Sequence, residues 1–147
     1  MRVIYLEPEL FDEPPPPYRT GVGGRVWLSE RGELETDERV RLSANTVHAL
    51  EGHGVLGELN RLPLEMGKLG AGREVLVPQF ALDDAADILT EADRKTYGAS
   101  YEFVVERMNG AEYRIRIENR EYQRALARLR DLIVAAGRQG YAVWLRI

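Results

Sequence analysis

The sequence predicts a mixed α+β domain, and the second half of its 147 residues predicts it most clearly. Residues 99–118 form two alternating runs joined by Asn109 and Gly110, a pair that tolerates the positive φ angles of a tight hairpin turn. Residues 83–97 and 120–136 carry apolar stripes at helical spacing, and Asn119 is placed to cap the second of these helices. We therefore expect a β-hairpin between two amphipathic helices.

Two further strands complete this half of the chain. Glu74–Val77 is a short β-rich run that ends at Pro78, and residues 141–147 form an almost wholly apolar run. The order strand, helix, strand, strand, helix, strand is the split β-α-β of ferredoxin-like folds. Right-handed crossovers would place the first strand beside the third and fourth, with both helices on one face of the sheet.

The first 42 residues contain three short β-rich segments, which we expect to extend the same sheet: residues 2–7, 25–29 and 39–42. The polar residues 30–37 predict a turn, and glycines at 21–24 predict a second one. The proline-rich residues 13–17 are typical of a stiff polyproline II connector. A docking ligand for an aromatic groove is the alternative for that segment.

Residues 43–73 predict a helical region followed by a loop. Ser43 is placed to cap a helix whose Val47 and Leu50 face inward, and apolar residues continue at helical spacing up to Pro63. Residues 64–73 hold three glycines and predict a loop. We expect one domain over residues 1–147, with a β/α extension and Pro-rich loop at 1–73 and the ferredoxin-like unit at 74–147.

Composition limits the classes of function. The chain has no cysteine, which excludes disulfides, thiolate nucleophiles and cysteine-ligated metals. No apolar run approaches the roughly 20 residues that span a bilayer, and the N-terminus lacks the features of a signal peptide, so we expect a cytoplasmic protein without membrane contacts. Only two of its 20 basic residues are lysine, a bias typical of a GC-rich bacterial genome.

Charge is divided unevenly along the chain. The net charge is −4, with −7 over residues 1–98 and +3 over residues 99–147. The acidic part disfavours non-specific nucleic-acid binding, which needs a positive field. It would suit a basic protein partner.

Two glycine-rich stretches and two histidines are the motifs to weigh. Residues 52–57 match G-x-G-x-x-G, but a dinucleotide site needs a strand before it and a longer helix after it than Pro63 allows. Residues 67–72 lack the Gly-Lys-Ser/Thr ending of a phosphate loop. His48 and His53 are five residues apart, so one helical face does not carry both. We expect no cofactor and no metal.

The hairpin carries the candidate binding residues. A regular register around its turn pairs Val104 with Ile115 and sends four side chains to the face away from the core: Tyr101, Phe103, Arg114 and Arg116. A register slip of one residue would exchange the two faces. Aromatic and arginine side chains are enriched at protein interfaces, and they can also stack bases and pair phosphates.

The sequence therefore favours a non-enzymatic protein–protein interaction module of a bacterial cytoplasmic protein, such as an inhibitor, an immunity factor or a regulatory subunit. A homodimer formed by sheet-edge pairing is compatible with it. One alternative is a module that binds single-stranded nucleic acid on the open sheet face. The other is an enzyme of unrecognised type built around His48 and His53.

Overall fold

The protein is mixed α+β, as the sequence predicts. The computed structural model describes residues 2–6, 25–30 and 33–147, which form seven strands in two sheets and four α-helices. The strands are β1 Arg2–Leu6, β2 Arg25–Glu30, β3 Glu33–Arg41, β4 Glu74–Val77, β5 Ser100–Met108, β6 Ala111–Glu118 and β7 Ala142–Arg146. The helices are α1 Ala44–Gly52, α2 Val55–Leu59, α3 Leu82–Lys95 and α4 Asn119–Gln139.

The two sheets differ in strand direction. The hairpin sheet has the order β1-β6-β5, with β1 parallel to β6 and β5 antiparallel to it. The four-stranded sheet has the order β3-β2-β7-β4 and is antiparallel throughout. Each sheet therefore combines strands that lie far apart in the sequence.

The predicted order of elements from residue 74 onward is confirmed, but the expectation of a single sheet is wrong. β4 pairs with β7 as expected and does not pair with β6. The hydrogen-bonding edges explain the difference, because the other side of β4 is occupied by a bridge between Glu65 and Leu76, and β6 already lies between β1 and β5. Strands from the first 42 residues extend both sheets. β1 joins the hairpin sheet beside β6, while β2 pairs with β7 in the four-stranded sheet and carries β3 on its other side.

Among the N-terminal strands, β3 is longer than predicted. β3 starts at Glu33, so most of the predicted turn at residues 30–37 is strand. β3 is the outermost strand of its sheet and pairs only with β2 among the described strands, so its polar composition is compatible with an edge position. The Pro-rich segment at 13–17 and the glycines at 21–24 lie outside the described residues.

Helix ends follow the predicted chemistry in one case and depart from it in another. The Ser43 hydroxyl accepts from the Thr46 N–H at 3.1 Å and caps α1 as predicted. Asn119 does not cap α4. Its side-chain amide instead donates to the carbonyls of Tyr97 and Gly98, at 2.6 and 2.9 Å, and so ties the end of the α3–β5 connection to the start of α4.

The main core lies where the inner faces of the helices meet the strands. α3 and α4 pack on each other, and the buried stripe of α4 joins β4 and β7. Its most enclosed side chains include Tyr122, Leu126, Ile133, Val75, Val143 and Ile117. Because Ile117 belongs to β6, this core reaches from the four-stranded sheet to the hairpin sheet.

Candidate functional site

A β-bulge sets which side chains of the hairpin face the core. The turn is as predicted, with positive φ at Asn109 and Gly110 and with Met108 opposite Ala111. The register then shifts between Val104 and Glu106, so one strand has an extra residue. From the bulge to the open end of the hairpin, every cross-strand pair is therefore shifted by one residue from the predicted register.

The bulge makes the expected grouping of the four candidate residues wrong. Phe103 lies opposite Ile115 and Tyr101 opposite Ile117, and both isoleucines are buried. The two aromatic side chains therefore share the core-facing side of the hairpin, while Arg114 and Arg116 lie on the other side. The sequence carried a signal for this arrangement, because in the shifted register Glu102 faces Arg116, a favourable cross-strand pair.

We call the outer side the ionic face, defined by five side chains: Glu102, Arg107, Glu112, Arg114 and Arg116. Glu112 accepts from Arg107 Nε at 2.9 Å and also pairs with Arg114. Arg114 reaches on to Glu102 at 3.2 Å. Arg116 donates to the same Glu102 carboxylate, with its Nη2 at 2.6 Å. Alternating charges thus form one continuous ladder across β5 and β6.

Carboxylates and guanidinium groups are exposed to different degrees in this ladder. The Glu112 side chain is only 9% exposed, whereas those of Arg107 and Arg116 are 62% and 56% exposed. Hydrogen bonds from Arg107, and then from Arg114, lower the pKa of Glu112, and the bond to Glu112 raises the pKa of Arg114. The ionic face therefore presents mainly cationic groups outward.

Two exposed valines adjoin the ionic face. Val3 lies opposite Glu112 and is 41% exposed, and Val104 lies opposite Arg114 and is 44% exposed. The helices that contact this sheet do so from the other side. There Ala44 of α1 packs with Ile115, and Ile117 packs in the core with α4. Among the described residues, no helix covers the ionic face.

The inner side of the hairpin contacts what we call the aromatic cluster: His53, Tyr101, Phe103 and Tyr122. The His53 ring stacks on Tyr122 with centroids 4.7 Å apart. It meets Tyr101 and Phe103 edge-on, at 4.1 and 5.4 Å. Three segments contribute here: the α1–α2 connection carries His53, β5 carries Tyr101 and Phe103, and α4 carries Tyr122.

Two polar atoms of the aromatic cluster have no hydrogen-bond partner among the described residues. These are the buried His53 Nε2 and the buried Tyr122 hydroxyl. Burial lowers the pKa of His53. Burial also raises the pKa of Tyr122, to which Tyr101 and Asp93 add smaller electrostatic contributions. Both groups are therefore held in their neutral forms near pH 7.

A cleft of about 390 Å³ opens beside His53, between α2 and α3. Its apolar lining includes Val55, Ile88 and Ala92. Its charged lining consists of Glu58, Asp87, Glu91 and Lys95. His48 does not line this cleft, so the structure does not bring the two histidines together there.

Neither glycine-rich stretch has the surroundings of a phosphate site. Residues 52–57 connect two helices, and no strand precedes them as a dinucleotide motif requires. In residues 67–72 the N–H groups of Gly70 and Gly72 donate to the Ile147 carbonyl oxygen, at 2.9 and 3.1 Å. Lys68 donates to the Asn60 carbonyl at 2.8 Å, at the end of α2. This loop therefore holds the last strand against the α2 region.

Within residues 2–6, 25–30 and 33–147, no group of three or more His, Cys, Asp or Glu side chains could hold a metal ion. In the same part of the chain, no helix is both long and apolar enough to cross a bilayer. Comparison with protein-family models, with curated proteins and with solved structures finds no match to this chain. The geometry of the ionic face and of the aromatic cluster is thus the basis for a functional proposal.

Proposed function

We propose that this protein is a non-enzymatic protein-binding module whose ionic face binds an acidic segment of a partner protein. The observation that carries the proposal is the pair of exposed valines beside outward-facing guanidinium groups, on a sheet face that no described helix covers. Arginine beside apolar side chains is typical of interfaces, because its planar group binds carboxylates in a fixed geometry while its stem packs on apolar surface.

The charge of the ionic face favours an acidic partner. Three guanidinium groups face two carboxylates, and the less exposed of these, Glu112, already accepts from two arginines. A partner carboxylate could therefore pair with the exposed Arg107 without displacing a buried group. The basic partner expected from the acidic residues 1–98 stays a prediction for a different surface.

Nucleic acid is the second class of anionic partner, and the sheet has fewer of the features that would bind it. Base stacking needs exposed rings on the sheet, but Tyr101 and Phe103 pack inward against His53. The net charge of −4 also disfavours the phosphate backbone at long range. An immunity factor, an inhibitor and a regulatory subunit all remain roles compatible with binding a protein.

The test compares two charge-reversal variants of equal net charge as baits in lysate of the source organism, with and without nuclease treatment. One carries Arg107→Glu and Arg116→Glu on the ionic face. The control carries Arg124→Glu and Arg128→Glu on exposed positions of α4. We expect a stoichiometric acidic protein to be captured by the wild type and the control and lost with the ionic-face variant. Equal capture by both variants would contradict the proposal, and nucleic acid that disappears on nuclease treatment would favour the alternative.

The order of elements also favours describing residues 74–147 as a ferredoxin-like unit, with β4 paired to β7 and β5 paired to β6. In a ferredoxin-like fold with one sheet, the first strand of the unit, here β4, would lie beside β6. In this protein β1 takes that position. A cytoplasmic location stays a prediction from the composition.

A further inference from the structure

The short segment Gly52-His53-Gly54 places one imidazole between two different surroundings. A Cβ atom at Gly52 would overlap the ring of Phe103, so glycine allows this ring to lie directly against the backbone. Gly54 has φ of 79°, a conformation that L side chains rarely adopt, and it starts α2. The two glycines bring the His53 ring into the aromatic cluster on one side and against the cleft on the other.

The inner surroundings suit only a neutral imidazole. The ring is stacked on Tyr122 and enclosed edge-on by Tyr101 and Phe103, and its Nε2 atom has no hydrogen-bond partner in the described part of the chain. A charged imidazolium would there lose hydration without gaining a hydrogen bond.

The outer surroundings suit a cation. The cleft is lined by three carboxylates, Glu58, Asp87 and Glu91, against one ammonium, Lys95. Glu91 is partly neutralised by Arg94 and Lys95, at 3.2 and 3.9 Å, and Glu58 lies 3.6 Å from Arg61. No ion pair is found for Asp87 among the described residues. A volume of about 390 Å³ is ample for an imidazole ring.

We propose that His53 is a two-position, pH-operated switch: the neutral ring is held in the aromatic cluster, and the protonated ring turns out into the carboxylate-lined cleft. The other groups near it do not reverse this preference. Burial raises the pKa of Tyr122, which is therefore uncharged near pH 7, and Asp93 lies on α3 and acts on Tyr122. Glu51, two residues before His53, is exposed.

The direction of the pH effect follows from the lowered pKa of the buried ring. The unfolded chain binds the proton first as the pH falls through about 6.5, the ordinary histidine value. The stability contributed by the neutral, packed ring is therefore present above this pH and is lost as the pH falls toward the lower pKa of the folded state. The outward position limits this loss, because the cation gains carboxylate neighbours there.

The switch would be felt in the hairpin. When the ring leaves, Tyr101 and Phe103 lose a packing partner, and both belong to the strand that also carries Glu102 of the ionic face. The effect on the hairpin stands whether or not the ionic face binds an acidic partner, since it needs only the aromatic cluster and the cleft.

The test is an NMR titration of the full-length protein between pH 7.5 and 4.5. We expect His53 to titrate below pH 6.5. We also expect its NOEs to the Tyr122 ring at pH 7.5 to be replaced, in the protonated state, by NOEs to the side chains of Ile88 and Ala92. Persistence of the Tyr122 NOEs in the protonated state would overturn the proposal, as would a midpoint at or above 6.5.

A pair of variants separates the switch from simple burial. Glu58→Gln, Asp87→Asn and Glu91→Gln together remove the carboxylates that receive the cation, so the His53 midpoint should fall by a further half unit or so. The control combines Asp83→Asn and Asp84→Asn, exposed positions on α3 outside the cleft lining, and should leave the midpoint unchanged. An equal shift in both variants would show a general charge effect and would overturn the outward position.

Discussion

The two sides of the hairpin β5–β6 are held by different forces. The inner side packs rings and isoleucines that are fully or largely buried, and its polar atoms are few and partly unpaired. The outer side is held by a ladder of ion pairs whose guanidinium groups remain in water. Packing of buried apolar groups stabilises a fold by several kcal/mol per side chain, whereas exposed ion pairs contribute about 0–1 kcal/mol.

This difference indicates where function can be located. A side chain whose loss costs little stability can be selected for binding, and the exposed arginines of the ionic face, Arg107 and Arg116, are such side chains, whereas Glu112 is buried. The inner side is constrained by packing, and in the proposed switch the protonation of His53 changes that packing. Equal contributions of the two sides to the free energy of unfolding would contradict this difference.

The largest expected effect comes from Ile117→Ala on the inner side. Ile117 is almost fully buried in the core that joins the hairpin to α4, so its truncation should lower the free energy of unfolding by about 2–5 kcal/mol. Chemical denaturation followed by circular dichroism measures this. A loss below about 1 kcal/mol would show that the hairpin does not belong to the cooperative core.

The next effect comes from Gly52→Ala. The new methyl group would overlap the Phe103 ring, so we expect a loss of about 1–3 kcal/mol, although alanine is the better helix former. The matched control is Gly57→Ala in α2, where nothing lies within 4 Å of the new Cβ and stability should hold or rise. A double variant with Phe103→Leu should recover part of the loss, and purely additive effects would contradict the contact.

Local patterns were enough to predict most elements, but not how the strands combine. The Asn109-Gly110 turn, the Ser43 cap and the apolar stripes of α3 and α4 each depend on neighbours in sequence, and all are confirmed. The pairing of β1 with β6 joins residues more than 100 positions apart, and no local pattern specifies it.

The predicted grouping of the candidate site residues was wrong because β5 contains one extra residue. The bulge between Val104 and Glu106 inserts one residue into β5, and a shift of one residue exchanges the two faces of a strand. The expected pairing of Val104 with Ile115 satisfied apolar alternation. The observed one also satisfies charge pairing, with Glu102 opposite Arg116. Weighing cross-strand charge together with hydrophobicity would have favoured the correct register.

A third prediction has the opposite sign. The Tyr122 hydroxyl is buried and has no hydrogen-bond partner within residues 2–6, 25–30 and 33–147, so Tyr122→Phe removes a polar atom that gains no hydrogen bond from them. We expect the free energy of unfolding to rise by about 1 kcal/mol. Tyr97→Phe, at an exposed position, is the control and should change it by less than about 0.5 kcal/mol. Destabilisation by Tyr122→Phe would reveal a partner for this hydroxyl, most simply a bound water.

The smallest expected effect is on the outer side, next to the residue with the largest. Arg116→Ala removes the donor that binds Glu102 at 2.6 Å, yet Arg116 is more than half exposed, so the free energy of unfolding should fall by only about 0.5 kcal/mol. This loss should shrink further in 1 M salt, where exposed charges are screened within about 3 Å. Arg128→Ala on α4 gives the baseline for removing an exposed arginine. A loss at Arg116 comparable to that at Ile117, and insensitive to salt, would mean that the ionic ladder is part of the folding core. The ionic face would then serve the stability of the fold rather than the binding of a partner.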